Sequence, residues 1–278
     1  MSDLRLSAVT GIGSLPFHEP AEAIAFVRRW CPAIPFWPQL PKSGMQEMMT
    51  SQFIADGLDQ DFAFSQHFHS GWFAFLDALR EGKFPDAVAI KGHLAGPQTM
   101  AQFLRNADDA ESIARRTEEL ISAQLDALLP FHDRVIIQLD EPAAKEPPYD
   151  ALATAIGFIR ARGGIPMVHC CAPLTREFVQ ASEGAILSFD IHINGPGGGL
   201  LDAIQNHVRS GGGVAWGAAP TKDERDLDSC SARLKEWRTA LSVIPVVELI
   251  TATCGLGTVL KREGKESFEI AHKLVADL

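Results

Sequence analysis

Residues 134–171, RVIIQLDEPAAKEPPYDALATAIGFIRARGGIPMVHCC, decide the fold. A run of Val, Ile and Leu ends in Asp140, and a segment of helical periodicity follows it. That segment stops at Gly163-Gly164, and a second apolar run then ends in His169-Cys170-Cys171. Neither apolar run alternates cleanly with charges, which is the pattern of parallel strands covered on their outer side by helices. Glycine just past a helix is a natural stop, because it enters the left-handed region without a Cβ penalty. The stretch therefore reads as strand, helix, strand.

The same unit recurs in both directions. Strands are predicted at Leu6–Gly11, Pro35–Leu40, Ala87–Leu94, Arg134–Asp140, Ile165–Cys171, Ala185–Ile193, Gly213–Ala218 and Glu248–Cys254. Between them lie helical segments: PAEAIAFVRRW, with Pro20 at a favoured first position; Asp108–Leu129, acidic at its start and striped with apolar residues; and KESFEIAHKLVADL at the end. Eight strand–helix units predict a (β/α)8 TIM barrel, and the 278 residues fit one such domain spanning 1–278. An open doubly wound sheet is the competitor. It normally carries a glycine-rich dinucleotide turn after its first strand, whereas GIGSLP lacks the third glycine spacing and runs into Pro16.

Composition narrows the function. The net charge is −10 with no Lys/Arg cluster, which argues against nucleic acid as a partner. No apolar run is long enough to span a membrane, and MSDLRLSAVTG lacks the basic and apolar regions of a secretory signal. Five cysteines, an odd number, argue against a disulfide framework and for a cytoplasmic setting with reduced thiols. A small molecule is the expected partner.

Barrel enzymes carry their chemistry where strands end. Here those ends read Gly11-Ile12-Gly13-Ser14, Asp140-Glu141-Pro142, His169-Cys170-Cys171, Asp190-Ile191-His192 and Cys254-Gly255. Side chains alternate across a strand, so His169 and Cys171 share one face and Cys170 takes the other. By the same parity Ser188, Asp190 and His192 share a face, as do Ala252 and Cys254. Imidazole with thiolates suits tetrahedral zinc, and Cys254 ends a different strand at the same rim. Cys31 and Cys230 fall in or beside helices and read as inert. Asp140 has two readings: it opens the turn before Pro142, or it binds a substrate ammonium from the inward face. Glu141 then faces outward.

The set TGIGSLP, Gly96-Pro97-Gln98-Thr99, IIQLDEPA, VHCC, a carboxylate after the sixth strand and TCGLGT resembles cobalamin-independent methionine synthase, in order from Thr10 to Thr258. The likeness is to the catalytic barrel of that family and its single-barrel relatives. It implies zinc held by His169, Cys171, Asp190 and Cys254, and a homocysteine held by Ser14, with Gly13 beside it, and by Asp140. It also implies methyl transfer to that thiol from methyl-folate.

Three departures stand out. Asp190 replaces the family's Glu, one methylene shorter, so His192 is kept as an alternative ligand. Ala218 stands where the family has a catalytic histidine, with His192 or His93 as substitutes. Lys42 occupies an acidic place, with Glu47 further along. An acidic barrel without a basic patch is a poor host for a polyanionic folate tail, so a methylcorrinoid is the alternative donor, to homocysteine or to another thiol. A uroporphyrinogen decarboxylase-like enzyme is a weaker reading, since TGIGSLPFHEP contains no arginine. A non-catalytic zinc-binding barrel is the remaining alternative.

Overall fold

A computed structural model describes residues 6–55, 57, 58, 60–104, 110–144, 146–221 and 226–278. Among the described residues seven strands form one parallel sheet: β1 (Leu6–Val9), β2 (Ile90–Ala95), β3 (Val135–Asp140), β4 (Ile165–Cys170), β5 (Ile186–Asp190), β6 (Gly213–Ala219) and β7 (Val247–Ala252). Their order is β1-β7-β6-β5-β4-β3-β2, so β1 and β2 are the two edges. Every pair is parallel.

The expected strand Pro35–Leu40 does not form. The sheet is a curled, TIM-barrel-like one of seven strands and not a closed barrel of eight. Residues 33–39 still run between the edges, but they make only isolated bridges, Phe36 to Lys91 and Gln39 to Ser14. The reason is proline. Pro35 and Pro38 have no N–H to give to a ladder, and the donations that remain are Trp37 N–H to Lys91 O and Gln39 N–H to Gly13 O. An apolar run identified the segment; its prolines decided its bonding.

The curl encloses an interior of its own. Ala8, Ile34, Ala89, Ile136, Met167, Ile186, Ala215 and Leu249 pack as one buried cluster, separate from the larger core between sheet and helices. One residue comes from each position around the ring, Ile34 from the proline segment included. Two residues further along β3, β4 and β5 the same face carries Gln138, His169 and Ser188, all buried. The interior thus passes from an apolar floor to a polar mouth, the layering expected of this architecture.

The helices are α1 (Pro20–Trp30), α2 (Met49–Phe53), α3 (Ser70–Arg80), α4 (Pro97–Leu104), α5 (Ala110–Leu128), α6 (Asp150–Ala161), α7 (Arg176–Ala181), α8 (Gly198–Arg209), α9 (Leu227–Ala240) and α10 (Lys261–Leu274). α1 begins at Pro20 as predicted, with Glu22 in its first turn and Arg28 and Arg29 in its last, each sign complementing the helix dipole. The acids predicted to open the next long helix, Asp108 and Asp109, lie outside the described residues. From Ala110 onward α5 buries Ile113, Thr117, Leu120, Ile121, Gln124 and Leu128, the stripe its periodicity implied. α6 ends before Gly163, whose φ of +85° is the left-handed stop that glycine adopts freely. Among the described residues no helix is long and apolar enough to cross a membrane.

Candidate metal centre at the sheet mouth

Strand parity delivers the first two donors. Cys170 packs into the outer core, while His169 and Cys171 turn to the interior. Cys254 arrives by another route. β7 stops at Ala252, which also lies in the outer core, so the expected shared face of Ala252 and Cys254 does not hold. A bend at residues 253–254 turns Cys254 inward instead. The ligand atoms of His169, Cys171 and Cys254 then lie within 4.8 Å of one another.

Two features of this group fit a metal ion. His169 Nδ1 is 3.0 Å from Ser188 Oγ, while Nε2 is buried and makes no hydrogen bond. A buried polar atom without a partner is costly, whereas a metal-bound histidine characteristically engages its second ring nitrogen just as Ser188 does here. The thiols supply the second feature. The Cys171 thiol beside it pushes Cys254 down to about 4, and Cys171 is raised correspondingly. The pair holds one negative charge without any ion, which is half the work of preparing two thiolates.

A cavity of about 180 Å³ opens on this cluster. It is lined by Ser14, Gln39, Asp140, His169, Cys171, Cys254, Gly255 and the side chains of Met48 and Met49, among others. Drug-sized ligands occupy ~300–1,000 Å³, so this space suits an amino-acid-sized molecule. Ser14 is fixed against the loop that follows Cys254: Leu256 N–H donates to its carbonyl and Gly257 N–H to its hydroxyl, at 2.9 and 3.2 Å. A Cβ on Gly255 would stand 2.3 Å from Ser14 Oγ, so the Cys-Gly-Leu-Gly sequence is what lets Ser14 and Cys254 share a rim. Gly13 has a similar reason, because a Cβ there would meet the His93 ring at 2.5 Å.

Asp140 lies at the cavity, almost buried, with Oδ1 accepting from Gln138 Nε2 at 2.6 Å. Glu141 faces away and accepts from the N–H groups of Gln98 and Thr99, at 3.0 and 2.7 Å, capping α4. That joins the Gly-Pro-x-Thr and Asp-Glu-Pro elements in one contact, and a Cβ on Gly96 would be 2.3 Å from the Glu141 carboxyl carbon.

Asp190 stands apart from the three donors. Its Oδ1 accepts from the N–H groups of His192 and Ile193, at 2.7 and 3.4 Å, closing the turn after β5. His192 puts its ring Nε2 2.9 Å from the carbonyl oxygen of Ala218. His93 stacks on Trp37 with centroids 4.2 Å apart. Glu47 is buried away from the cavity, accepting from Ser70 N–H and Gln52 Nε2, and Lys42 is half-buried outside it.

Three residues escaped the sequence reading as site components. Ser188 was placed on the correct face without a role. Lys91 and Gln138 each stand two residues before a site residue, His93 and Asp140, and a charged or amide group at such an inward position was the available signal. Lys91 is wholly buried, with Nζ donating to Ile12 O and Gln138 Oε1 at 2.8 and 2.9 Å and lying 5.3 Å from the Phe36 ring. Burial pushes its pKa down to about 7 against the attraction of Asp140.

No protein-family model matches the sequence, and no curated protein matches it. Solved structures do resemble the fold. A methyltransferase from Methanosarcina mazei aligns with a TM-score of 0.60 at 14% identity, over 98% of this chain and 94% of that one. A B12-independent methionine synthase from Shewanella sp. W3-18-1, in complex with selenomethionine, aligns with a TM-score of 0.51 at 15% identity. That alignment covers 73% of this chain, which spans 66% of the synthase. β-Methylaspartase from Clostridium tetanomorphum gives a TM-score of 0.52 at 12% identity, over 97% and 58%. At such identities the likeness is one of fold, and the fold hosts many chemistries.

Proposed function

We propose that the chain is a zinc-dependent methyltransferase that transfers a methyl group to a thiol, homocysteine giving methionine. The donor is 5-methyltetrahydrofolate or a methylcorrinoid. One observation carries the reading: a buried imidazole nitrogen without a hydrogen bond faces two thiols at an amino-acid-sized cavity that Ser14 and Asp140 also line.

Each residue has a part. Ser14 and the backbone at Gly13 take the substrate carboxylate, and Asp140 takes its ammonium. Anchored at both groups, the amino acid directs its thiol to His169, Cys171 and Cys254, which hold the zinc. Asp190 completes the ligand set once it leaves its turn contacts. A bound zinc ion supplies the deprotonation of a coordinated thiol, which otherwise has a pKa near ~8.5 and is a few per cent thiolate at neutral pH. His192 rests against the carbonyl of Ala218, where the resembling family carries its histidine, and takes the proton-handling role at the donor. Thiols must stay reduced for this chemistry; a cytoplasmic setting provides that, and the two thiols of the cluster, Cys171 and Cys254, are free.

Metal analysis of wild type and Cys254→Ala is the first test. Stoichiometric zinc in the wild type and its loss in the variant are expected; a metal-free wild type ends the proposal. X-ray absorption should then show one added sulfur ligand when homocysteine binds, and an unchanged spectrum would favour a non-catalytic zinc site. Parallel assays with methyl-folate and methylcobalamin identify the donor.

A further inference from the structure

The geometry points to Gln138, its amide bonded to the buried Lys91 and to Ile12 O, as the positioning residue that aims Asp140 and so makes the cavity selective for thiols bearing an ammonium group. This rests on the reading of Asp140 as the ammonium partner and adds to it the residues that set its orientation.

The direction of the amide follows from donor and acceptor counting. A backbone carbonyl and a carboxylate can only accept, so the Gln138 atom 2.8 Å from Ile12 O and 2.6 Å from Asp140 Oδ1 must be the amide nitrogen, and the amide oxygen is the atom 2.9 Å from Lys91 Nζ. The amide nitrogen is thereby fixed on the other side. There it spends its two hydrogens, one on Asp140 Oδ1 at 2.6 Å and one on Ile12 O at 2.8 Å. Both acceptors belong to the cavity wall, since Ile12 and Asp140 line it. Lys91 also donates to Ile12 O, so the strand end that presents Gly13 and Ser14 and the carboxylate on β3 are tied to one buried amide.

The consequence for Asp140 is asymmetry. Oδ1 is engaged by Gln138. Oδ2 is left with His93 Nδ1 at 3.6 Å, beyond hydrogen-bond length. His93 Nε2 lies 3.1 Å from the carbonyl of Trp37 and donates to it, which leaves the neutral ring's Nδ1 as an acceptor. Two acceptors, Asp140 Oδ2 and His93 Nδ1, thus lie side by side on β3 and β2. Of the two, Asp140 lines the cavity and His93 does not; an ammonium at that place satisfies Oδ2, a substrate with a methylene there leaves it unpaired, and that asymmetry is what gives polar sites strong discrimination.

Selectivity is read with two ligands that share the thiol and carboxylate, L-homocysteine and 4-mercaptobutanoate, titrated calorimetrically into the full zinc-loaded chain. Wild type is expected to prefer homocysteine by at least tenfold. Gln138→Leu, which removes both bonds, and Gln138→Glu, which keeps the Lys91 acceptor but cannot donate to Asp140, are each expected to cut that preference by about tenfold, with 4-mercaptobutanoate affinity nearly unchanged. Asp140→Asn is the control. If it abolishes the preference while both Gln138 variants retain it, the positioning role is overturned and the ammonium role of Asp140 stands. If wild type shows no preference, both fall. Uniform weakening of both ligands in either folded Gln138 variant marks a structural role and also overturns the inference.

Discussion

Ser188 and His169 are direct partners across the β4–β5 ladder, and the serine hydroxyl stands 3.0 Å from Nδ1 of the imidazole. The register of two parallel strands therefore fixes which ring nitrogen faces the cavity. In the tautomer whose Nδ1–H donates to Ser188, Nε2 carries the lone pair a metal needs. Ser188→Ala is expected to weaken zinc binding by roughly 10- to 100-fold, as loss of such an outer partner typically does. Competition against a chelator of known affinity measures it, and unchanged affinity would mean Ser188 does not orient the ring.

Proton release provides a second check. The Cys171 thiol beside it pushes Cys254 down towards the thiolate, while Cys171 itself is raised and holds its proton more tightly. Zinc uptake at pH 7 is therefore expected to displace about one proton, from Cys171, because metal-bound thiols are deprotonated. Affinity should fall at least about tenfold per pH unit below 7, and more steeply at lower pH, because every donor that takes up a proton must lose it again to hold the metal. Calorimetry in buffers of different ionisation enthalpy counts the protons. Release of two at pH 7 would show that the thiols do not share their charge.

Much of this centre was legible in the sequence. Parity placed His169 and Cys171 together because β4 is regular to its end. It failed for Cys254, since β7 stops two residues early and a bend does what alternation was expected to do. Apolar runs identified seven strands, but they carry no information on donor supply, so Pro35 and Pro38 undid the eighth. Asp190 shows a different limit: spacing puts a carboxylate at a strand end, yet the adjacent N–H groups of its own turn compete for it. Gln138 and Lys91 lay hidden because their roles depend on each other across two strands.

The contact between Gly96 and Glu141 tests the link between the α4 cap and the Asp-Glu-Pro turn. Glu141 is fully buried and bound to two backbone N–H groups, so it cannot retreat from a Cβ built 2.3 Å from its carboxyl carbon. Gly96→Ala is expected to cost about 1–3 kcal/mol, the usual range for overpacking a closed site. Combined with Glu141→Ala, whose own cost is a lost helix cap of about 0.5–2 kcal/mol, the steric part should vanish and the two effects should be far from additive. Urea unfolding of the four proteins gives the cycle. Simple additivity would show that the glycine serves some other purpose.

The sulfur-activating and amino-acid-anchoring halves of the site rest on different strands, and Gly13→Ala is expected to separate them. The new Cβ would press on the His93 ring from 2.5 Å. That ring is clamped, stacked on Trp37 and bonded to its carbonyl, so the loop carrying Ser14 must shift instead. Homocysteine affinity should fall by at least tenfold, because a displaced anchor loses the directed contacts that hold the carboxylate. Zinc affinity should fall by clearly less, since none of the three donors sits on β1 and only the segment after Cys254 is bonded to Ser14. Titration of zinc and then of homocysteine into the same variant measures both. Zinc loss in step with homocysteine would mean that the mouth folds as one unit, and the division into two halves would have to be abandoned.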